Sequence, residues 1–122
     1  MLTLAQFIQL APTGSILTNQ YVRHPNFKSL YVRYNNRRYI NGEFVFNVLD
    51  IANIQARKPG KGAFTKLIIH LRNTYPLLVL YVESIQNPRF ADRLERMGFV
   101  YDKIVNKEIN SMYLLPSQSL YV

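Results

Sequence analysis

The sequence predicts an α+β fold, a mixed twisted sheet of about six strands flanked by helices, carried by one domain over residues 1–122. Three observations carry that reading. Residues 28–54 alternate β-branched and aromatic segments with asparagine and glycine turns, the pattern of an antiparallel meander. Two later segments space their apolar residues as helices do, and a short continuous apolar run lies between them. A strand–helix–strand crossover is right-handed and makes its two strands parallel neighbours, so the sheet must be mixed.

The elements follow in order. Leu4, Phe7, Ile8 and Ala11 fall on one helical face within residues 2–11, and Pro12-Thr13-Gly14 stops that helix. Residues 15–27 read as an irregular connection with a short extended piece around Tyr21-Val22. Lys28 to Tyr34 is a strand, Asn35-Asn36 a turn, and Arg37 to Ile40 the returning strand. Asn41-Gly42 is a second hairpin turn, followed by a long strand from Phe44 to Ile54.

Residues 62–75 place Phe64, Leu67, Ile68 and Leu71 on one face, and Pro76 ends that helix. Leu77 to Val82 is apolar throughout, as suits a strand covered on both faces. Asn87 and Pro88 are N-cap and first-turn residues of a second late helix, which buries Phe90, Ala91, Leu94 and Met97 and ends at Gly98. Phe99 to Val105 and Met112 to Leu115 are the last strands, joined as a hairpin through Asn106 to Asn110.

Composition removes several classes of function. The absence of cysteine excludes disulfides, thiolate metal sites and a cysteine nucleophile. The two histidines, His24 and His70, lie far apart in sequence, so no metal site is expected. No apolar run approaches the ~20 residues that span a bilayer, and the N-terminus lacks a basic signal region, so no membrane role and a cytoplasmic location are expected. A formal net charge of +8 points to an anionic partner: a phosphorylated cofactor, an acidic protein surface or nucleic acid. No nucleophile-elbow serine and no P-loop of the GxxxxGK[ST] type occurs.

The segment richest in chemistry is Arg57-Lys58-Pro59-Gly60-Lys61-Gly62-Ala63-Phe64. It leaves a long strand and enters a helix. Glycines let the backbone approach an anion, and the first amides of the helix point at it with roughly +0.5 charge behind them. The spacing Arg57-x-x-Gly60-x-Gly62 resembles the Q/R-x-x-G-x-G/A motif of the GNAT (Gcn5-related N-acetyltransferase) superfamily. Asn87 followed by Leu94-Glu95-Arg96-Met97-Gly98-Phe99 is similar to that family's late helix closing on Gly-Phe. Together these motifs span residues 44–105, and the wording is most similar to short GNAT-like proteins of tailed bacteriophages.

The resemblance implies a shortened GNAT-like fold with residues 55–105 as the acetyl-CoA-binding half. Acetyl-CoA would wedge between the Phe44–Ile54 and Leu77–Glu83 strands where these splay. Its pantetheine arm would pair with backbone near Ile54 and Gln55, and its pyrophosphate would sit on amides from Gly60 through Lys61, Gly62 and Ala63 to Phe64. Lys58 and Lys61 would add charge there, and Arg57 and Asn87 would belong to the same cofactor site. An acceptor amine would attack the thioester directly, with Glu83 or Asp50 as base and Tyr81 as the candidate acid.

Two departures from the family pattern bear on this. Leu94 stands where the family often has a catalytic tyrosine, and Pro59 removes one amide and one cation from the loop. The early part of the chain is short, so the acceptor, an amine on a protein among the options, is not written in it. The alternative is an inactive GNAT-like module that binds an acidic host protein or nucleic acid. Tyr31, Arg33, Tyr34, Arg37, Arg38 and Tyr39 are the aromatic and basic residues that the nucleic-acid version would use. A homodimer is a further expectation, with the apolar tail Leu120-Tyr121-Val122 contributing.

Overall fold

A computed structural model describes residues 1–103 and 110–122. The expected path of the last hairpin, Ile104 and Val105 with the turn from Asn106, lies outside the described residues. The elements are α1 (Leu4–Leu10) with a 3₁₀ turn (Ala11–Thr13), β1 (Asn19–Tyr21), β2 (Phe27–Ile40), β3 (Glu43–Ala56), α2 (Ala63–Thr74), β4 (Val79–Ile85), α3 (Pro88–Arg96), β5 (Val100–Tyr101) and β6 (Asn110–Leu114). The six strands form one sheet in the order β1-β2-β3-β4-β6-β5. Only β3 and β4 run parallel; every other neighbouring pair is antiparallel. The α+β class and the mixed six-stranded sheet are therefore as expected.

The helices start and stop for local reasons. Thr3 and Gln6 form a reciprocal capping box on α1. The Asn87 side chain accepts the Arg89 amide at the head of α3, with Pro88 in the first turn. Gly98, at φ 106°, turns the chain out of α3, and a Cβ there would collide with the Ser119 carbonyl oxygen. The C-terminal segment is tied at that point, because the Tyr121 amide donates to the Met97 carbonyl. Tyr121 and Val122 remain exposed, while Leu120 packs on the core.

The meander departs from expectation. Asn35-Asn36 is not a turn, since β2 runs unbroken through it and pairs with β3 from Phe27 to Ile40. The third antiparallel strand is β1, at the edge where only a short extended piece was expected. Left-handed backbone does occur here, but at Asn47 on the facing strand, at φ 62°. Its side chain holds that angle by accepting from the Tyr34 hydroxyl and donating to the Leu77 carbonyl. Leu77, expected within β4, lies in the preceding turn and is 75% exposed. Asn41-Gly42 is the two-residue hairpin turn that was expected, with φ of 48° and 87°.

The Asn47 distortion changes which face the hairpin shows. Asn35 pairs with Val48, and Val48 belongs to the smaller apolar cluster. Three residues further along β2, Arg38 pairs with Val45, which packs on the same cluster as Ile40 does. An odd step on both strands means that their alternation slips by one place together. The hairpin tip is then able to fold over the sheet, where the Asn41 side chain bonds to the Tyr101 carbonyl, the Tyr113 hydroxyl and the Lys103 amide.

Two cores result. The buried residues of all three α-helices join Leu30, Val32, Leu49, Ile51, Leu80 and Val82 on one sheet face. Among the described residues the other face carries no helix. Its cluster is Ile40, Val48, Val79, Tyr81 and Tyr113, closed by the folded-over tip.

Candidate functional site

The parallel pairing of β3 with β4 is short. It runs from Val48↔Val79 to Ile51↔Val82 and stops, although β3 continues to Ala56 and β4 to Ile85. Both strands are distorted just past the last pair. Against β2, β3 carries one extra residue at Ala52; against β6, β4 carries one between Val82 and Ile85. Bulges bend and twist the strands that hold them, so two at one level drive the strands apart. A cleft of about 460 Å³ fills the fork, lined by Ile54, Glu83, Asn87 and Phe90 among others. Beyond Ile51 the edge of β3 that faces β4 has no ladder partner, and Ile54 and Gln55 lie on this stretch.

β3 leads directly into the basic loop. Gly60 and Gly62 have φ of 79° and 74°, the left-handed region, and a Cβ at either would meet nothing within 4 Å. Glycine is required there for backbone angle rather than for space. Gly62 is the N-cap of α2, so no side chain caps this helix, and its first turn holds no acidic residue. Lys58, Lys61, Lys66, Ala63 and Arg57 line a groove of about 320 Å³ at this end. Uncapped amides, the helix dipole and four cations make one electropositive recess. Phe64 contributes its backbone only, because its ring is buried edge-on against Phe90.

At the base of the fork, on the helix-free face, Asp50 and Glu83 come together. Asp50 is fully buried and its Oδ2 accepts from Arg38 at 2.8 Å. Glu83, with its side chain 19% exposed, accepts from Arg33 at 2.7 Å. Among the described residues Oδ1 of Asp50 has no hydrogen-bond partner while both carboxyls are ionised. Burial first, and then the neighbouring Glu83 carboxyl, push the Asp50 carboxyl up to about 8, against the pull of Arg38. A proton on Asp50, donated to Glu83, gives the orphaned oxygen a partner and removes the like-charge contact.

The three candidate catalytic residues are thus not equivalent. Glu83 lines the cleft, and Asp50 stands behind it. Tyr81 is fully buried, donates to Asp102 at 2.6 Å and lies under the Arg38 guanidinium, 3.7 Å from the ring centroid. Burial and the Asp102 carboxylate hold its phenol far above the ordinary range. An enclosed, occupied phenol of this kind has no path to a leaving thiolate in the cleft. Asn87 lines the cleft, but its side-chain oxygen is already used as the cap of α3.

The residues that sequence reasoning missed are Arg33 and Arg38. Both were read only as part of a basic hairpin. Arg38 reaches Asp50 because of the phase slip at Asn47, and no periodicity in the sequence announces that slip. Arg33 pairs with Asp50, and Asp50 with Tyr81, so Arg33 reaches Glu83 across β3 from two residues along, a register that the expected Asn35-Asn36 turn concealed. Compared with known proteins, the chain matches no family model, no curated protein and no solved structure.

Proposed function

We propose that this chain is a GNAT-like, acetyl-CoA-dependent N-acetyltransferase acting in the cytoplasm. The observation that carries the reading is the fork. Two parallel strands part at paired bulges, leave a free strand edge at Ile54 and Gln55, and run into an uncapped, acid-free helix terminus ringed by lysine. A ligand with an amide-bearing arm and a pyrophosphate fits both parts at once: the arm adds to the open edge of β3, and the phosphates meet the Gly62–Phe64 end of α2. Lys58 and Lys61 supply charge that is screened by solvent, worth about 1 kcal/mol each at most.

In this reading the acceptor nitrogen attacks the thioester carbonyl. The N–C bond forms, the C–S bond breaks, and the ammonium proton passes to Glu83. Asp50 tunes that base: while it holds the shared proton, it leaves Glu83 able to accept another. Amides of the open strand edge face the developing oxyanion. The thiolate leaves as the thiol with a proton from solvent.

Calorimetric titration with acetyl-CoA tests the proposal, comparing wild type with the Lys58→Glu/Lys61→Glu double variant, whose exposed side chains leave the core intact. Submillimolar binding by wild type, weakened at least tenfold in the variant, supports it. A folded wild type that binds no acetyl-CoA ends it.

One observation favours a second reading, a GNAT-like binding module without turnover. Glu83 is already ion-paired to Arg33, and Tyr81 is sealed beneath Arg38. Cofactor binding without acetyl transfer to any amine in a broad screen would select it, with an acidic protein surface as the partner that a net charge of +8 favours.

A further inference from the structure

A separate cavity lies between α1 and α2, away from the fork. It encloses about 470 Å³. Its floor is apolar, made by the buried Leu4 and Ile8 of α1 and Leu71 of α2, with Tyr75 at one side. Its rim is Arg23, His24, Arg57 and His70, and among the described residues no acidic one lines it. The sequence holds these two histidines far apart, and the fold brings them to one opening.

The rim groups are not used up by the protein. Among the described residues the two ion pairs are Arg33–Glu83 and Arg38–Asp50, so neither Arg23 nor Arg57 has an acidic partner. His24 accepts the Asn26 amide at Nδ1, which puts the ring proton on Nε2 as a donor. Burial and the nearby His70 hold the His24 imidazole below its ordinary value, as expected of an opening ringed by positive groups alone. The walls are fixed: the Leu4 amide donates to the Arg23 carbonyl, the Arg23 amide to the Leu2 carbonyl, and the Arg57 amide to the Asn26 carbonyl.

We propose that this cavity binds a small amphipathic anion, its apolar body on Leu4, Ile8, Leu71 and Tyr75 and its single carboxylate or phosphate between Arg23, Arg57 and the His24 imidazole. An apolar pocket of this size with a few convergent donors is the usual form of a small-molecule site. An anionic head is the class of ligand that a rim of guanidinium and imidazole donors without a carboxylate selects. The site does not depend on acetyl transfer: Pro25 and Arg57 are shared with the groove at the head of α2, but Arg23, His24, His70 and the apolar floor are not.

The test is NMR of the His24 and His70 ring signals during titration with octanoate and, separately, with phenyl phosphate. A saturable shift with octanoate alone marks an alkyl carboxylate site, and with phenyl phosphate alone an aryl phosphate site; either supports the proposal. Arg23→Glu, at an exposed side chain, should weaken that binding about tenfold or more. Ala5→Trp, which places an indole at the mouth, should abolish it. Thermal melts verify that both variants fold, and Arg23→Glu stands alone if Ala5→Trp does not. No saturable shift with either probe, or a shift that Arg23→Glu leaves unchanged, overturns the proposal.

Discussion

The two faces of this sheet are stabilised in different ways. One carries every α-helix and a continuous apolar core with Phe7, Ile68, Leu71 and Leu94 at its centre. The other has no helix among the described residues and is closed by the sheet's own hairpin, with a small buried cluster on the face that also holds an ion-paired carboxylate. Apolar burial on the first face is insensitive to pH. The second face depends on one distorted residue, Asn47, and on two guanidinium groups, Arg33 and Arg38, that hold the carboxyl pair. Chemistry gathers on the second face because a carboxyl pair needs low dielectric without a fully apolar lining.

The sharpest way to break the second face is Arg38→Ala. It removes the partner of a fully buried carboxylate and should cost about 3–5 kcal/mol in urea unfolding at alkaline pH. Near pH 5 the loss should be smaller, because Asp50 is then neutral. Equal losses at both pH values would show that Asp50 stays ionised throughout.

Comparable in size is the pH dependence itself. The folded Asp50 carboxyl is raised from 3.8 to about 8, so its contribution to stability is complete below about pH 4 and is lost as pH rises through about 8. The limiting slope is about 1.4 kcal/mol per pH unit. Unfolding curves for wild type should therefore decline across this window relative to Asp50→Asn. Parallel curves would remove the shared proton from the description.

On the helical face, Gly98→Ala should cost about 2–4 kcal/mol. It forces φ 106° on an L-residue and drives a Cβ into the Ser119 carbonyl oxygen. Its loss should be the same at pH 5 and pH 9, which sharpens the contrast with Arg38→Ala. The smallest effect belongs to Asn47→Val, about 1–3 kcal/mol for a β-branched residue at φ 62°. Asn47→Gly keeps that angle and should lose less. If Asn47→Val also lowers the Asp50 titration midpoint, the slip at Asn47 is what holds the buried pair in place.

The helical face was largely legible in the sequence. The stripes of α1, α2 and α3, the Asn87-Pro88 start and the Gly98 stop are local signals, each set by backbone preference and apolar spacing. The basic glycine loop was legible for the same reason. Asn35-Asn36 misled because asparagine tolerates left-handed angles without requiring them, and cross-strand pairing over the full length of β2 outweighed the local preference. Leu77 misled because an apolar run does not mark where a strand starts.

The sequence by itself determined the helices, the Asn41-Gly42 hairpin turn and the glycine-bearing, uncapped start of α2, because those follow from contacts among near neighbours in the chain, and it determined the parallel crossover through the order of its elements. Only the tertiary structure decided the fork, the Asp50–Glu83 pair with its two arginines, and the cavity shared by His24 and His70. Each of these depends on the register of residues tens of positions apart, and in a strand a one-place slip moves a side chain to the opposite face.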